Sequence, residues 1–261
     1  MNGLRDILVI EDEPSVSRAV EMVCHEEGMS VTAASSAAEA LEILDRSDFR
    51  LALCDIMMQG LDGFQFLEEL DRKGLQLPVV MMTGYSTMEN AVKSLSMGAV
   101  DYIPKPFTAD ELLTVIRRSL RSGILREKAY AARLGRDRTM SFVPCPSEYH
   151  RLGYVSWVRM EDEGTARIGV SDLFLKSVEG IREFELSDVG DQLVQGIPCA
   201  VATSNDGSLH GIMCPMGGKI LEVNEQALSD PLLVEKDPFF RGWLYRILPS
   251  NPDNNLRWLK S

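Results

Sequence analysis

Two acidic segments, a hydroxyl and a lysine each stand where an apolar run stops. Ile7-Leu8-Val9-Ile10 runs into Glu11-Asp12, and Leu51-Ala52-Leu53-Cys54 runs into Asp55. Leu77-Pro78-Val79-Val80-Met81-Met82 runs into Thr83, and the segment from Ala99 to Ile103 stops just before Lys105. Taken singly, a carboxylate in such a place is a metal ligand, a nucleophile or, most commonly, a cap for the next helix. If the runs are neighbouring parallel strands, their ends meet on one edge of a sheet, where open α/β folds place ligands. Three carboxylates gathered there repel one another and require a divalent cation, and hard oxygen ligands with open positions favour Mg²⁺. A cation beside Asp55 suits phosphoryl transfer, because it neutralises charge on the moving group. Lys105 adds a second positive charge, Thr83 a hydroxyl donor, and Gly84 leaves room for a phosphoryl group.

The elements between these runs have helical spacing. Pro14 suits a first helical turn, Val16, Ala19, Val20 and Val23 supply an apolar face, and Gly28 ends that helix. Val31 to Ala34 reads as a strand, and Ala37 to Leu44 as a helix with Ala40, Leu41 and Leu44 inward. Phe64, Phe66, Leu67 and Leu70 mark a third helix, and Met88 to Met97 a fourth, stopped by Gly98. Thr108 with Glu111 three residues on is a capping-box pattern for a fifth. Five strand–helix units in alternation predict an α/β doubly wound five-stranded parallel sheet over residues 1–122.

These residues together resemble the receiver domain of two-component response regulators, a flavodoxin-like fold. Glu11 and Asp12 match that family's metal-binding acidic pair, and Met57 the position whose backbone carbonyl also ligates Mg²⁺. Asp55 matches the phosphoacceptor, Thr83 the switch hydroxyl, Lys105 the invariant lysine and Tyr102 the switch aromatic. Met58, Asp62 and Gly63 fall in the family's Asp-x-x-Met-Pro-x-x-Asp-Gly run, with Gln59 in place of the proline. Met82-Thr83-Gly84-Tyr85 and Tyr102 through Phe107 look most like receivers of the nitrogen-regulation type. The resemblance implies a phosphoprotein of phosphorelay signalling that takes a phosphoryl group from a sensor histidine kinase. It assists only its own phosphorylation and hydrolysis and is not otherwise an enzyme. The acyl phosphate is expected to draw in Thr83, move Tyr102 and change the surface of the fourth helix, fifth strand and fifth helix. Receivers often dimerise through this face, so a homodimer is expected there. Bulky Met57 and Tyr85 beside the site are expected to hinder water and lengthen the phosphoryl group's life.

The net charge of −12 is unevenly placed. Residues 1–116 hold 8 Lys/Arg against 20 Asp/Glu, whereas residues 117–138 hold 8 against 2. Arg117, Arg118, Arg121, Arg126, Lys128, Arg133, Arg136 and Arg138 make residues 123–146 and the turn before them a basic helical linker and loop, with Pro144 and Pro146 at its end. No aromatic platform or helix-turn-helix pair accompanies this charge, so the favoured reading is a solvated helix whose arginines meet the acidic receiver, and nucleic acid is the lesser one. Gly123 is expected to weaken that helix. No apolar run reaches the roughly 20 residues of a membrane span, and the five scattered cysteines form no CxxC. These features predict a cytoplasmic protein without disulfides or a zinc site.

From residue 147 the pattern changes to short alternating strands. Tyr154, Ser156, Val158 and Met160, then Ala166, Ile168 and Val170, flank a Glu163-Gly164 turn. Further strands are read at Glu183–Leu186, Cys199–Thr203, Gly218–Val223 and Leu244–Leu248, the last closing the ordered part, with a hairpin turn at Asn205-Asp206-Gly207-Ser208. The expected fold is a small β-rich barrel-sandwich. Val189 through Gly196, Pro215 through Asn224 and the Asp237-Pro238-Phe239, Gly242-Trp243-Leu244 run resemble the H protein of the glycine cleavage system, a lipoyl carrier. That family carries lipoate on a lysine eight residues before the proline matching Pro215, and Gly207 stands there instead. No lysine occurs from Cys199 to Gly218, so the domain over 147–261 is expected to carry no lipoate and to act as an output or interaction module for an unidentified protein partner. The alternative is a phosphorylation-regulated subunit of a lipoyl-dependent or one-carbon enzyme system. His210 and Cys214 read as ordinary hairpin residues rather than a replacement metal site.

Overall fold

The structure, a computed structural model, describes residues 5–84, 87–134 and 141–260. Tyr85, Arg136 and Arg138 lie outside the described residues. The chain forms two compact units, one of residues 1–86 and 97–123, the other of residues 87–96 and 124–261.

The first unit is built on strands β1 (Arg5–Ile10), β2 (Val31–Ala34), β3 (Phe49–Asp55), β4 (Val79–Thr83) and β5 (Asp101–Pro104). They form one parallel sheet in the order β2-β1-β3-β4-β5, the doubly wound arrangement expected from the sequence. Ile7 to Ile10 and Leu51 to Cys54 are fully buried, as strands covered on both faces must be. Helices α1 (Pro14–Glu26), α2 (Ala37–Leu44) and α3 (Gly63–Lys73) alternate with the strands. The buried face of α1 is Ser17, Val20 and Cys24, while Ala19 is exposed. The inward stripe is thus turned from the expected one, onto Ser17 and Cys24, which apolarity alone could not select. Phe64, Phe66, Leu67 and Leu70 of α3 are buried as expected.

Helix α4 (Met88–Met97) comes between β4 and β5 in sequence, and its residues 88–96 belong to the second unit. Helix α5 (Ala109–Arg133) runs 25 residues without a break. The capping box forms: the Thr108 N–H donates to Glu111 Oε2 at 2.7 Å, and the Glu111 N–H donates to Thr108 Oγ1 at 3.2 Å. Gly123 does not interrupt the helix. A Cβ there would stand 3.0 Å from Pro78 Cγ, so the glycine allows α5 to pass close to the segment before β4. The basic residues near it have acidic partners in this unit: Arg117 bonds Glu27 at 2.5 Å, and Arg118 bonds Asp101 at 2.6 Å in a buried pair.

The second unit has a six-stranded sheet and a three-stranded sheet. Strands β6 (His150–Leu152), β7 (Ser156–Met160), β8 (Ala166–Val170), β10 (Gln192–Leu193), β13 (Gly218–Val223) and β14 (Trp243–Pro249) make the larger sheet in the order β10-β13-β14-β8-β7-β6. Strands β9 (Ile181–Leu186), β11 (Pro198–Ser204) and β12 (Leu209–Met213) make the smaller, with β11 central. The short helices α6 (Asp172–Ser177), α7 (Glu225–Ser229), α8 (Pro231–Lys236) and α9 (Pro252–Leu256) fill the connections. Order continues past Leu248: α9 follows, and Lys260 exchanges backbone hydrogen bonds with Arg151. One apolar core, including Val158, Ile168, Phe174, Ala202, Ile212, Tyr245 and Ile247, lies within this unit. The Tyr245 hydroxyl donates to the Cys199 carbonyl at 2.6 Å and accepts the Ser187 N–H at 2.8 Å, so the buried tyrosine ties β14 to β11.

Candidate phosphoacceptor and metal site

The parallel register places the candidate side chains together. Ile10 is opposite Cys54, Asp55 is opposite Met82, and Thr83 is opposite Pro104. Each strand therefore ends at about the same level, and the residues one step beyond converge. Glu11, Asp12 and Asp55 each offer a carboxylate oxygen, and these atoms lie within 4.8 Å of one another. Glu11 and Asp55 are buried and Asp12 is exposed, which leaves the cluster open on the Asp12 side.

Lys105 closes the buried side. Its Nζ donates to Glu11 Oε2 at 2.5 Å and to Asp55 Oδ2 at 2.7 Å. The Lys105 backbone N–H donates to the Thr83 carbonyl at 2.7 Å, so β4 sets where the lysine starts. Burial pushes the Glu11 carboxyl above its ordinary value, with the Asp55 charge adding to this against the opposing pull of Lys105. Burial opposes the Lys105 charge, but its hydrogen bonds to Asp55 and Glu11 outweigh that and leave its pKa raised.

Asp55 Oδ1 accepts the Met57 N–H at 3.2 Å, and Met57 itself is exposed beside it. Thr83 is fully buried at the end of β4. Tyr102 is half-buried, its hydroxyl is buried and makes no hydrogen bond, and burial raises its pKa to about 12.

Gly63 is a positioning residue that spacing alone did not reveal. A Cβ there would stand 2.4 Å from the Asp55 carbonyl oxygen and 3.0 Å from Ile56 Cα. Asp62 caps α3 by accepting the Gln65 N–H at 2.8 Å, and Gln65 Oε1 accepts the Asp62 N–H at 3.0 Å. The Asp-Gly pair thus starts α3 directly against the strand that carries Asp55. Gln59, in place of proline, leaves this geometry intact, with Gly60 turning the loop at φ +83°.

The three carboxylates suit a hard divalent cation: all are oxygen donors, and one side remains open for water and a phosphoryl group. The family model of the response regulator receiver domain matches residues 7–117, and that of the glycine cleavage H-protein matches residues 147–261. The chain joins a receiver domain to an H-protein domain. Receiver domains bind Mg²⁺ at an acidic site, and here the cluster of Glu11, Asp12 and Asp55 occupies that place. The nitrogen assimilation regulatory protein NtrX of Azorhizobium caulinodans is 38% identical over 125 residues, 47% of this chain and 28% of its own. The crystal structure of the receiver domain of NtrX from Brucella abortus is 42% identical, covers 44% of this chain and 98% of that one, and superposes with a TM-score of 0.41. In sequence the receiver is thus similar to that of NtrX. A glycine cleavage system H protein from Mycobacterium marinum is 24% identical, covers 41% of this chain and 87% of that one, and gives a TM-score of 0.39. The chain spans half or less of the length of the first curated relatives it matches.

In the H-protein domain, β11 and β12 form a hairpin whose turn includes Gly207. Gly207 has φ +88°, a conformation that a residue with a side chain adopts only under strain. Its N–H donates to the Ser204 carbonyl at 2.9 Å. The Ser204 hydroxyl donates to Asp206 Oδ1 at 2.5 Å and lies 3.0 Å from His210 Nε2, and both Ser204 and His210 are buried. Cys214 is also buried. Among the described residues the only metal-competent cluster is Glu11, Asp12 and Asp55; His210 lies on β12, and Cys214, one residue past that strand, belongs to the domain's apolar core. No helix among the described residues is long and apolar enough to cross a membrane.

Proposed function

We propose that the protein is a two-component response regulator that accepts a phosphoryl group on Asp55 from a sensor histidine kinase. The H-protein domain is its output or interaction module and carries no lipoate. The observation that carries the first part is the Lys105 ammonium held between Glu11 and Asp55, with an open acidic cluster on the other side. An Asp55 oxygen attacks the phosphorus of a phosphohistidine, the P–N bond breaks, and the imidazole leaves. The Met57 N–H and Lys105 orient the Asp55 carboxylate, so that little remains but positioning. Glu11, Asp12, Asp55 and the Met57 carbonyl would hold Mg²⁺, which when bound neutralises charge on the transferring group. Lys105 holds an equatorial oxygen of the acyl phosphate, and Thr83 approaches another. Tyr102, with its unbonded buried hydroxyl, takes the space Thr83 leaves.

Two features support a non-lipoylated second domain. There is no amine between Cys199 and Gly218, and the turn at Gly207 has the left-handed backbone of a tight glycine turn rather than a lysine-bearing tip. The ion pairs Arg117–Glu27 and Arg118–Asp101 favour a structural role for the basic stretch over nucleic-acid binding.

The test is phosphorylation by a small phosphodonor in Mg²⁺, read by intact mass. The expected result is one phosphoryl group on the wild type and none on Asp55→Ala or in chelator. Equal labelling of Asp55→Ala would overturn the assignment. Incubation with lipoate and a lipoate ligase is expected to leave the mass unchanged, and a lipoyl adduct would return the second domain to the carrier class.

A further inference from the structure

All five cysteines are free thiols, and two of them meet inside the H-protein domain. Strands β11 and β12 pair with Pro198 opposite Met213 and Ala200 opposite Ile212, so Cys199 is an extra residue in β11, a β-bulge. The Cys214 N–H donates to the Ile197 carbonyl at 2.9 Å, which sets Cys214 across from Ile197. Cys199, two residues on, is therefore diagonal to Cys214. Diagonal neighbours in a regular ladder lie beyond the usual span of a disulfide, and a bulge re-aims the side chain it carries. Here both side chains enter the same apolar core, at 5% and 0% exposure. The Cys199 thiol donates to the Ile212 carbonyl at 3.5 Å, and the Cys214 thiol to the Met216 carbonyl at 3.1 Å. Their mutual hydrogen bond, then burial, pushes the Cys199 thiol well above its ordinary 9. The Tyr245 hydroxyl, bonded to the Cys199 carbonyl at 2.6 Å, fixes the backbone at the bulge.

We propose that Cys199 and Cys214 are a redox-sensitive pair that closes into an internal disulfide at the expense of a small disulfide of the oxidised-glutathione class, tying β12 to β11. In the three-stranded sheet β12 is an edge strand that pairs with β11 alone, so the hairpin can open by losing one ladder. While it is closed, the buried thiols hold little thiolate and exclude the oxidant. On opening, the Cys199 thiol gives its proton to water, and its thiolate attacks one sulfur of the small disulfide. That S–S bond breaks, and the first small thiolate leaves and takes up a proton. The Cys214 thiol loses its proton in the same way, and its thiolate attacks the Cys199 sulfur of the mixed disulfide. The bond to the second small thiol breaks and that thiol leaves. Two protein thiols are oxidised and one small disulfide is reduced to two thiols. The product is uncharged, so it returns to the apolar core without the desolvation cost that a thiolate meets there. It joins the two strands across the turn that includes Gly207, and the hairpin loses its freedom to open.

The test treats the folded full chain with oxidised glutathione, blocks the remaining thiols and maps peptides without reduction. The expected product is a peptide pair joined through Cys199 and Cys214, lighter than the reduced pair by two hydrogens and released by dithiothreitol. Amide exchange across residues 198–214 is expected to slow about tenfold in the oxidised chain and to recover after dithiothreitol. Cys214→Ala is expected to show neither the cross-link nor the slowing, and the re-reduced wild type is the folded reference should that variant not fold. Glutathione adducts without the cross-link, a cross-link through Cys145 instead, or no product on the folded chain would overturn the pairing. A cross-link with unchanged exchange, or equal slowing in Cys214→Ala, would overturn the tying of β12 to β11.

Discussion

Lys105 Nζ lies 2.7 Å from Asp55 Oδ2, and the same ammonium reaches Glu11 Oε2. The lysine is 12% exposed, and the Glu11 and Asp55 side chains are 0% and 7% exposed, so water does little to screen the two acids from each other. Removing the cation leaves two buried carboxylates facing one another. Lys105→Met is expected to cost about 3 kcal/mol of stability in chelator, the order seen when one partner of a buried pair is removed. Urea unfolding with and without Mg²⁺ checks this. Mg²⁺ is expected to return a larger share of stability to the variant than to the wild type, because it supplies the missing charge.

Gly63 can be tested by one methyl group. Its Cβ would collide with the Asp55 carbonyl oxygen, a backbone atom that cannot swing away. Gly63→Ala is expected to lose about 1–3 kcal/mol, in the range of overpacking, and to slow Asp55 phosphorylation through displacement of the strand end. Parallel measurement of the urea midpoint and the labelling rate separates this from simple unfolding. A variant that is stable and labels normally would show that α3 can retreat without cost.

The Arg118–Asp101 pair links α5 to β5, with both side chains under 10% exposed. Arg118→Ala strands a buried carboxylate and is expected to destabilise by about 3 kcal/mol. Asp101→Asn combined with Arg118→Ala is expected to cost less than the sum of the single changes. A double-mutant cycle by denaturant unfolding reads this coupling, and strict additivity would mean that the two side chains do not interact energetically.

The hairpin turn at Gly207 has its own pH signature. The Ser204 hydroxyl, then the Ser208 N–H, hold the Asp206 carboxyl at about 2, below its ordinary 3.8. Between those two values the unfolded chain binds a proton that the folded chain does not, so the stability from this group is present above pH 4 and lost as pH falls toward 2. Because Asp206 is exposed, the effect is small and salt-sensitive. Asp206→Asn is expected to remove this part of the acid dependence, seen as a wild-type-minus-variant difference in urea midpoint that shrinks from about pH 5 to about pH 2.5.

Much of this protein was legible in its residues because the signals are local. Burial on both faces makes a parallel strand apolar throughout, so the runs ending at Glu11, Asp55 and Thr83 announced themselves, and a parallel sheet then brings their ends to one edge. The Thr108–Glu111 cap and the glycine at position 207 likewise depend on neighbours within a few positions. Tertiary structure alone decided what each buried surface meets. Helical spacing marks an apolar face on α4 but cannot say that Val92 and Leu95 complete the core of a domain that follows later in the chain. Gly123 looks like a weak point in a helix until Pro78 is placed against it, and Ala19 looks inward until Ser17 and Cys24 take that side. Arg118 reads as one of many solvated basic residues, and only the fold buries it beside Asp101. Periodicity records that a side chain is hidden from water, since the hydrophobic effect is not directional, whereas its partner depends on chain segments brought together from far apart.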